Sequence, residues 1–293
     1  MVNLSKEECC ACAACENICP KSAISFKEDD FGYKYPHIDV SRCVDCGLCD
    51  RICPVLSPVS KSYPYEVYAA KSIEPERCTE SASGGFVASL AENIIKDGGI
   101  VYGCYAENYQ TIGHIRVDNV DDLGKIKNSK YVQSDIRHTY RDALDDLKLN
   151  KFVLFIGTPC QIAGLRSFLR KEYDNLLTCD FVCHGVPALK MLKEQVESYS
   201  IVHKYRPEYV NVDFRWKSDS EGVPKVLFGL RIWGMDDEGK RINIIEENSF
   251  VNPYARCFQT GISLRENCLH CQYTNTNRVS DITCGDFWGL GRS

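Results

Sequence analysis

The chain has 293 residues, 44% hydrophobic and 26% charged, with a formal net charge of −5 and 18 cysteines. An acidic balance without a basic stripe excludes nucleic acid as the expected partner, and no apolar run approaches the ~20 residues that would span a bilayer. The opening MVNLSKEECCAC lacks the basic-then-apolar pattern of a secretory signal, so a cytoplasmic, reducing and anaerobic setting is expected, with disulfides the weaker reading.

Half of the cysteines fall within the first 53 residues, in two segments that repeat C-x2-C-x2-C-x3-C-P: Cys9, Cys12, Cys15, Cys19, Pro20, then Cys43, Cys46, Cys49, Cys53, Pro54. This spacing lets three thiolates from one loop reach three irons of a cubane, while the fourth cysteine turns toward the other cluster. One 4Fe-4S cluster is therefore expected on Cys9, Cys12, Cys15 and Cys53, and the other on Cys43, Cys46, Cys49 and Cys19. Zinc also binds CxxC pairs, but two full tetrads with trailing prolines favour iron and sulfide. Cys10 reads as a spare with no ligand role. Between the repeats, AISFKEDDFGYKYPHID predicts a hairpin around Asp29 to Gly32. Residues 1–60 thus form an expected small α+β ferredoxin-like domain, and the Pro- and Ser-rich VLSPVSKSYPY marks a linker.

The larger unit, 63–293, opens as strand EVYAAKSI, helix FVASLAENIIKDG and strand IVYGCYA. Farther on, strand KFVLFIG, helix CQIAGLRSFLRKEY and strand LLTCDFVC repeat the alternation. The expected fold is α/β, a mostly parallel or mixed sheet covered by helices. EYVNVDFRW, PKVLFGLRIW and RINIIEE predict an antiparallel C-terminal part.

Parallel sheets hold ligands beyond the carboxyl ends of their strands, which singles out Gly157-Thr158-Pro159-Cys160 and Cys183-His184-Gly185-Val186-Pro187. A third loop, Ser81-Ala82-Ser83-Gly84-Gly85, opens a helix. It suits either a phosphate or a simple cap. Cys268 and Cys271 form a further CxxC, and with Cys160 and Cys183 they make a candidate third 4Fe-4S site. Zinc or an empty pair is the alternative there, and Cys284 competes for a place. Cys78, Cys104, Cys179 and Cys257 lack a paired spacing.

The ordered motifs SASGGF, NSKYVQS, GTPCQIAGL, CHGVP, CxxC and DITCGDFWG, from about Glu66 to Gly289, resemble the beta subunit of coenzyme F-420 hydrogenase and dehydrogenase. The resemblance implies an FAD-binding domain with a further iron–sulfur cluster, exchanging electrons between one-electron centres and a soluble two-electron carrier such as F-420. On that basis Ser81, Ser83, Gly84 and Gly85 become flavin-phosphate residues, and Ser129, Lys130 and Tyr131 contacts to flavin or an anionic substrate. His184 becomes a proton shuttle or, alternatively, a loop histidine bonded to backbone. Asp286 and Trp288 either line the site or pack in the core. Relatives usually continue past GDFWG, so a shortened C terminus is expected. The implied activity is that of an iron–sulfur flavin oxidoreductase working with ferredoxin or a redox partner subunit. The rivals are a non-catalytic relay subunit and a zinc-stapled interaction module.

Overall fold

In both cysteine loops the second residue after the first ligand and the residue after the second ligand adopt left-handed backbone. Ala11 and Ala13 have φ of 52° and 63°, and Asp45 and Gly47 have φ of 48° and 67°. Three of these four are not glycine, although the left-handed region disfavours a Cβ. Alternating hands turn successive amides toward one side, making a concavity suited to negative charge. Each loop then enters a short helix, α1 (Ala14–Ile18) or α2 (Leu48–Arg51). Between them β1 (Ile24–Glu28) and β2 (Lys34–Ile38) pair antiparallel. Their turn is set by Asp29, whose side chain accepts from the Phe31 and Tyr33 amides.

The computed structural model describes residues 4–206, 209–218, 225–236 and 238–287; Trp288 lies outside them. After α3 (Pro75–Glu80) and α4 (Phe86–Lys96) come β3 (Ile100–Asn108), β4 (Thr111–Val117), α5 (Thr139–Lys148), β5 (Val153–Ile156), α6 (Pro159–Leu169) and β6 (Leu176–Phe181). The chain continues through α7 (Leu189–His203), β7 (Asn211–Ser218), β8 (Lys225–Met235), β9 (Arg241–Asn248), α8 (Pro253–Gln259), α9 (Glu266–Leu269) and β10 (Ile282–Cys284). The main sheet has the order β10-β6-β5-β3-β4, parallel except for β4. A second sheet, β7-β8-β9, is an antiparallel meander. The fold is α/β with a mixed main sheet and an antiparallel C-terminal part. Among the described residues no helix is long and apolar enough to cross a membrane.

The sequence expectation fails at EVYAAKSI, which forms no strand and leaves Val67, Tyr68 and Ile73 exposed. The place beside β3 belongs instead to β4, joined to it by a tight hairpin. A neighbour in sequence reaches that edge with far less loop closure than a crossover from residue 66 requires.

The N-terminal loop is not packed apart. Cys10, Cys12, Ala13, Ala14 and Ile52 share one buried core with Tyr102, Tyr140, Phe155, Ile162 and Leu165. Gly164 permits this approach, because a Cβ there would stand 2.8 Å from the Cys12 Cβ and 2.9 Å from the Tyr140 hydroxyl. α6 is started by a capping box between Thr158 and Gln161 with Pro159 in the first turn.

His114 on β4 is buried, stacked on Phe155, and bonded at one nitrogen to the Ile156 carbonyl and at the other to Ser134. Burial drives its pKa down from 6.5 to about 4. The folded state therefore binds this proton less readily than the unfolded chain. Stability is unaffected above pH 6.5 and falls as pH drops from 6.5 toward 4, by on the order of 3 kcal/mol over that window. Denaturant titrations at pH 7 and pH 4.5 should show that loss in the parent and a smaller loss in His114→Gln.

Candidate functional site

Cys9, Cys12, Cys15 and Cys53 are each no more than 8% exposed and line one cavity. Cys19, Cys43, Cys46 and Cys49 line a second, and Cys46 there is exposed. Cys53 thus sits with the first repeat's three thiols and Cys19 with the second's. The sets adjoin, since Cys15, Cys53, Cys19 and Cys49 belong to one small core. Among the described residues no three His, Cys, Asp or Glu side chains converge on a single-ion site. The thiols line two neighbouring cavities instead.

Backbone amides supply the matching donors. Ala11 donates to Cys9, Ala14 to Cys12, and Ala23 to the Cys19 sulfur at 3.3 Å. Burial nevertheless pushes the Cys9 and Cys15 thiols above the ordinary range. Their thiolates need a compensating cationic centre, whose binding must release protons.

Cys160 lies in the first turn of α6 and Cys183 just beyond β6, at the same end of neighbouring parallel strands. α9 and the turn after it bring Cys268 and Cys271. All six pairs among these four thiols interact electrostatically. Burial pushes Cys183 up to about 12 and Cys268 up to about 11. The Gly185, Val186 and Tyr273 amides donate to Cys183, Cys268 and Cys271 respectively. Cys284 stands elsewhere, its sulfur 3.8 Å from that of Cys179.

Cys10 is 6% exposed and its thiol bonds both Cys12 and Cys160, so it lies between the first cavity and the third thiol set. The CC doublet in MVNLSKEECCAC is its only trace in sequence. Gln133, in the NSKYVQS motif, donates to the Cys10 carbonyl and accepts from Arg265.

The two patches assigned to flavin meet along β7. Lys217 donates to the Cys78 and Ser83 carbonyls, and Arg215 pairs with Asp286 at 2.7 Å and bonds Tyr131. Neither basic residue carried a sequence signal of its own. Ser81 holds a buried hydroxyl with no partner, and Gly85, at φ 78°, begins α4 with no side-chain cap. Residues 70–71 cover Gly84, and Ser72 donates to its carbonyl at 2.7 Å. Lys130 points inward to the Cys104 and Lys127 carbonyls, and burial lowers its pKa. Ser129 bonds Tyr131, whose ring packs against Phe214, Phe228 and Phe258. His184 meets the same Phe258 edge-on and bonds its carbonyl at 3.0 Å, the backbone-bonded arrangement.

Residues 150–293 match the family described as the C-terminal part of the coenzyme F420 hydrogenase/dehydrogenase beta subunit, and residues 8–56 match the 4Fe-4S dicluster domain. No curated protein matches the chain. A chain of the xenon-derivatised F420-reducing NiFe hydrogenase complex from Methanosarcina barkeri is similar at 14% identity and a TM-score of 0.38, over 59% of this chain and 57% of that one.

Gly164→Val should drive Cys12 away from the first cavity. Cys53→Ala should strike the same cluster through its fourth ligand. In each variant about four of the ~8 N-terminal irons should be lost. EPR after reduction would show one N-terminal signal gone or reshaped and the other intact; loss of the Cys43, Cys46, Cys49 signal alone would refute the ligand division.

Proposed function

We infer, from a chain that joins a 4Fe-4S dicluster domain to a C-terminal domain of the coenzyme F420 hydrogenase/dehydrogenase beta-subunit type, that this protein is a cytoplasmic iron–sulfur flavin oxidoreductase. One observation carries the reading. Three thiol sets adjoin in series from the exposed Cys46 side: the outer meets the middle through Cys15 and Cys49, and the buried middle meets the partly buried inner set through Cys10. The inner set, Cys160, Cys183, Cys268 and Cys271, would hold a third 4Fe-4S cluster. It opens at the carboxyl ends of β5 and β6, where α/β sheets place ligands.

The residues available fit FAD. An uncapped helix start and the unpartnered Ser81 hydroxyl suit a pyrophosphate, with Ser83, Gly84 and Gly85 beside them and Lys217 supplying positive charge. Bound flavin would take or give a hydride and pass its electrons singly, which clusters alone cannot do. Ser129 would hold Tyr131 on the aromatic seam, and Lys130 beside it would supply charge to flavin or an anionic substrate. His184, bonded to the Phe258 carbonyl at the same seam, would hold or pass a proton. Coenzyme F420 or another small two-electron carrier would be the substrate. Ferredoxin or a redox partner would exchange electrons at the exposed Cys46 side.

Anaerobic purification with iron, sulfide and flavin analysis tests the assignment. About twelve irons per chain are expected, falling to about eight in Cys271→Ala and unchanged in Cys284→Ala; about eight in the parent would eliminate the third cluster. Separately, Lys217→Met should weaken flavin binding about tenfold, the scale of one lost charge-assisted contact. Fluorescence titration of flavin-stripped protein would read this, and unchanged affinity would remove β7 from the site.

A further inference from the structure

Arg265 is 0% exposed, the largest of the fully buried side chains. Its hydrogen bonds all go to neutral acceptors: Nε to Gln133 Oε1 at 3.0 Å, Nη1 to the Cys9 carbonyl at 3.2 Å, and Nη2 to the Lys34 carbonyl at 2.6 Å. Its guanidinium lies over the rings of Tyr35 at 4.4 Å and Tyr33 at 5.5 Å. Among the described ion pairs none includes Arg265, and the neighbouring Glu266 is exposed and makes no ion pair with it. A guanidinium cannot shed its proton to escape burial. Buried charges are retained where an opposite charge compensates them, and here no carboxylate does.

The backbone of Arg265 ties the same point to the inner thiols. Its amide donates to the Val186 carbonyl at 2.9 Å, and its carbonyl accepts from the Cys268 amide at 2.8 Å. Cys9, Cys160 and Cys268 all lie within its electrostatic reach, and it favours the thiolate in each. None of its hydrogen bonds goes to a residue lining the Cys43 cavity.

We propose that Arg265 is the shared counter-charge of two clusters, the one on Cys9, Cys12, Cys15 and Cys53 and the one on Cys160, Cys183, Cys268 and Cys271. Each reduction adds one electron to an already anionic centre. A fixed cation between the two favours the reduced form of both and raises their potentials, leaving the Cys43 cluster outside its influence. Arg265 is a positioning and tuning residue, and its role rests on the cluster assignment above.

The test compares anaerobically purified full-length parent, Arg265→Gln and Arg265→Lys by iron analysis and EPR-monitored redox titration. In Arg265→Gln the reduced-to-oxidised ratio at a fixed potential should fall about tenfold for the two inner signals, a shift of ~59 mV for a one-electron couple. The Cys43 signal should stay in place, and Arg265→Lys should recover most of the shift. A loaded Arg265→Gln with unchanged potentials, or a lysine variant displaced as far as the glutamine one, overturns the proposal. Should the glutamine variant lose iron, retention by the lysine variant supports the charge role; equal loss in both makes Arg265 a packing residue and overturns it. A parent with only about eight irons removes the inner cluster itself, and the shift of the remaining Cys9 signal then decides for or against Arg265.

Discussion

The contact between Cys12 and Gly164 governs the rest of the molecule. A helix normally keeps its neighbours at side-chain distance, yet here a cysteine Cβ approaches the bare backbone of α6. Without that approach Cys10 would not reach Cys160, and the Arg265–Gln133 strap would not span from Cys9 to the Val186 loop. Tyr140 closes the same contact from the other side, its hydroxyl donating to the Gln161 carbonyl. A small cluster-binding loop therefore completes the core of the larger sheet, and neither part buries its apolar surface alone.

What was legible in the sequence follows from range. The eight N-terminal cysteines are recognisable because their ligand geometry is fixed by spacings of two and three residues. Pro159 marks the start of α6 because a first-turn proline is local chemistry, and the structure adds the Thr158–Gln161 capping box. The proximity of Cys160 and Cys183 needed one further step, that consecutive β-α-β strands tend to be neighbours. β5 and β6 are paired as that rule requires. EVYAAKSI misled for the opposite reason. Its apolar residues suit a strand, but β5 lies on one side of β3 and its hairpin partner β4 on the other.

Arg265 had no readable signature, since an arginine three residues before a CxxC is ordinary on a surface. Only the tertiary structure shows that it is buried and what surrounds it. Cys10 reads as a spare on similar grounds, for a free cysteine is usually a small apolar side chain. It meets Cys160, 150 residues away in sequence, and no local pattern reports a contact of that range.

The three thiol sets also differ in what surrounds them, and the difference has an electrostatic order. The Cys43 set borders solvent, which screens added charge and makes a dedicated cation unnecessary. The Cys9 set is almost closed and the Cys160 set beside it is partly buried, so each added electron there meets less solvation than at the Cys43 set. Uncompensated burial makes a cluster harder to reduce, and such a step would oppose electron flow from the surface to the inner site. Amide donors at Ala11, Ala14, Gly185 and Val186 offset part of that cost with fixed dipoles. Dipoles fall off faster with distance than a charge does. A cation shared by the two inner sets can act on both, and Arg265 occupies the position between them.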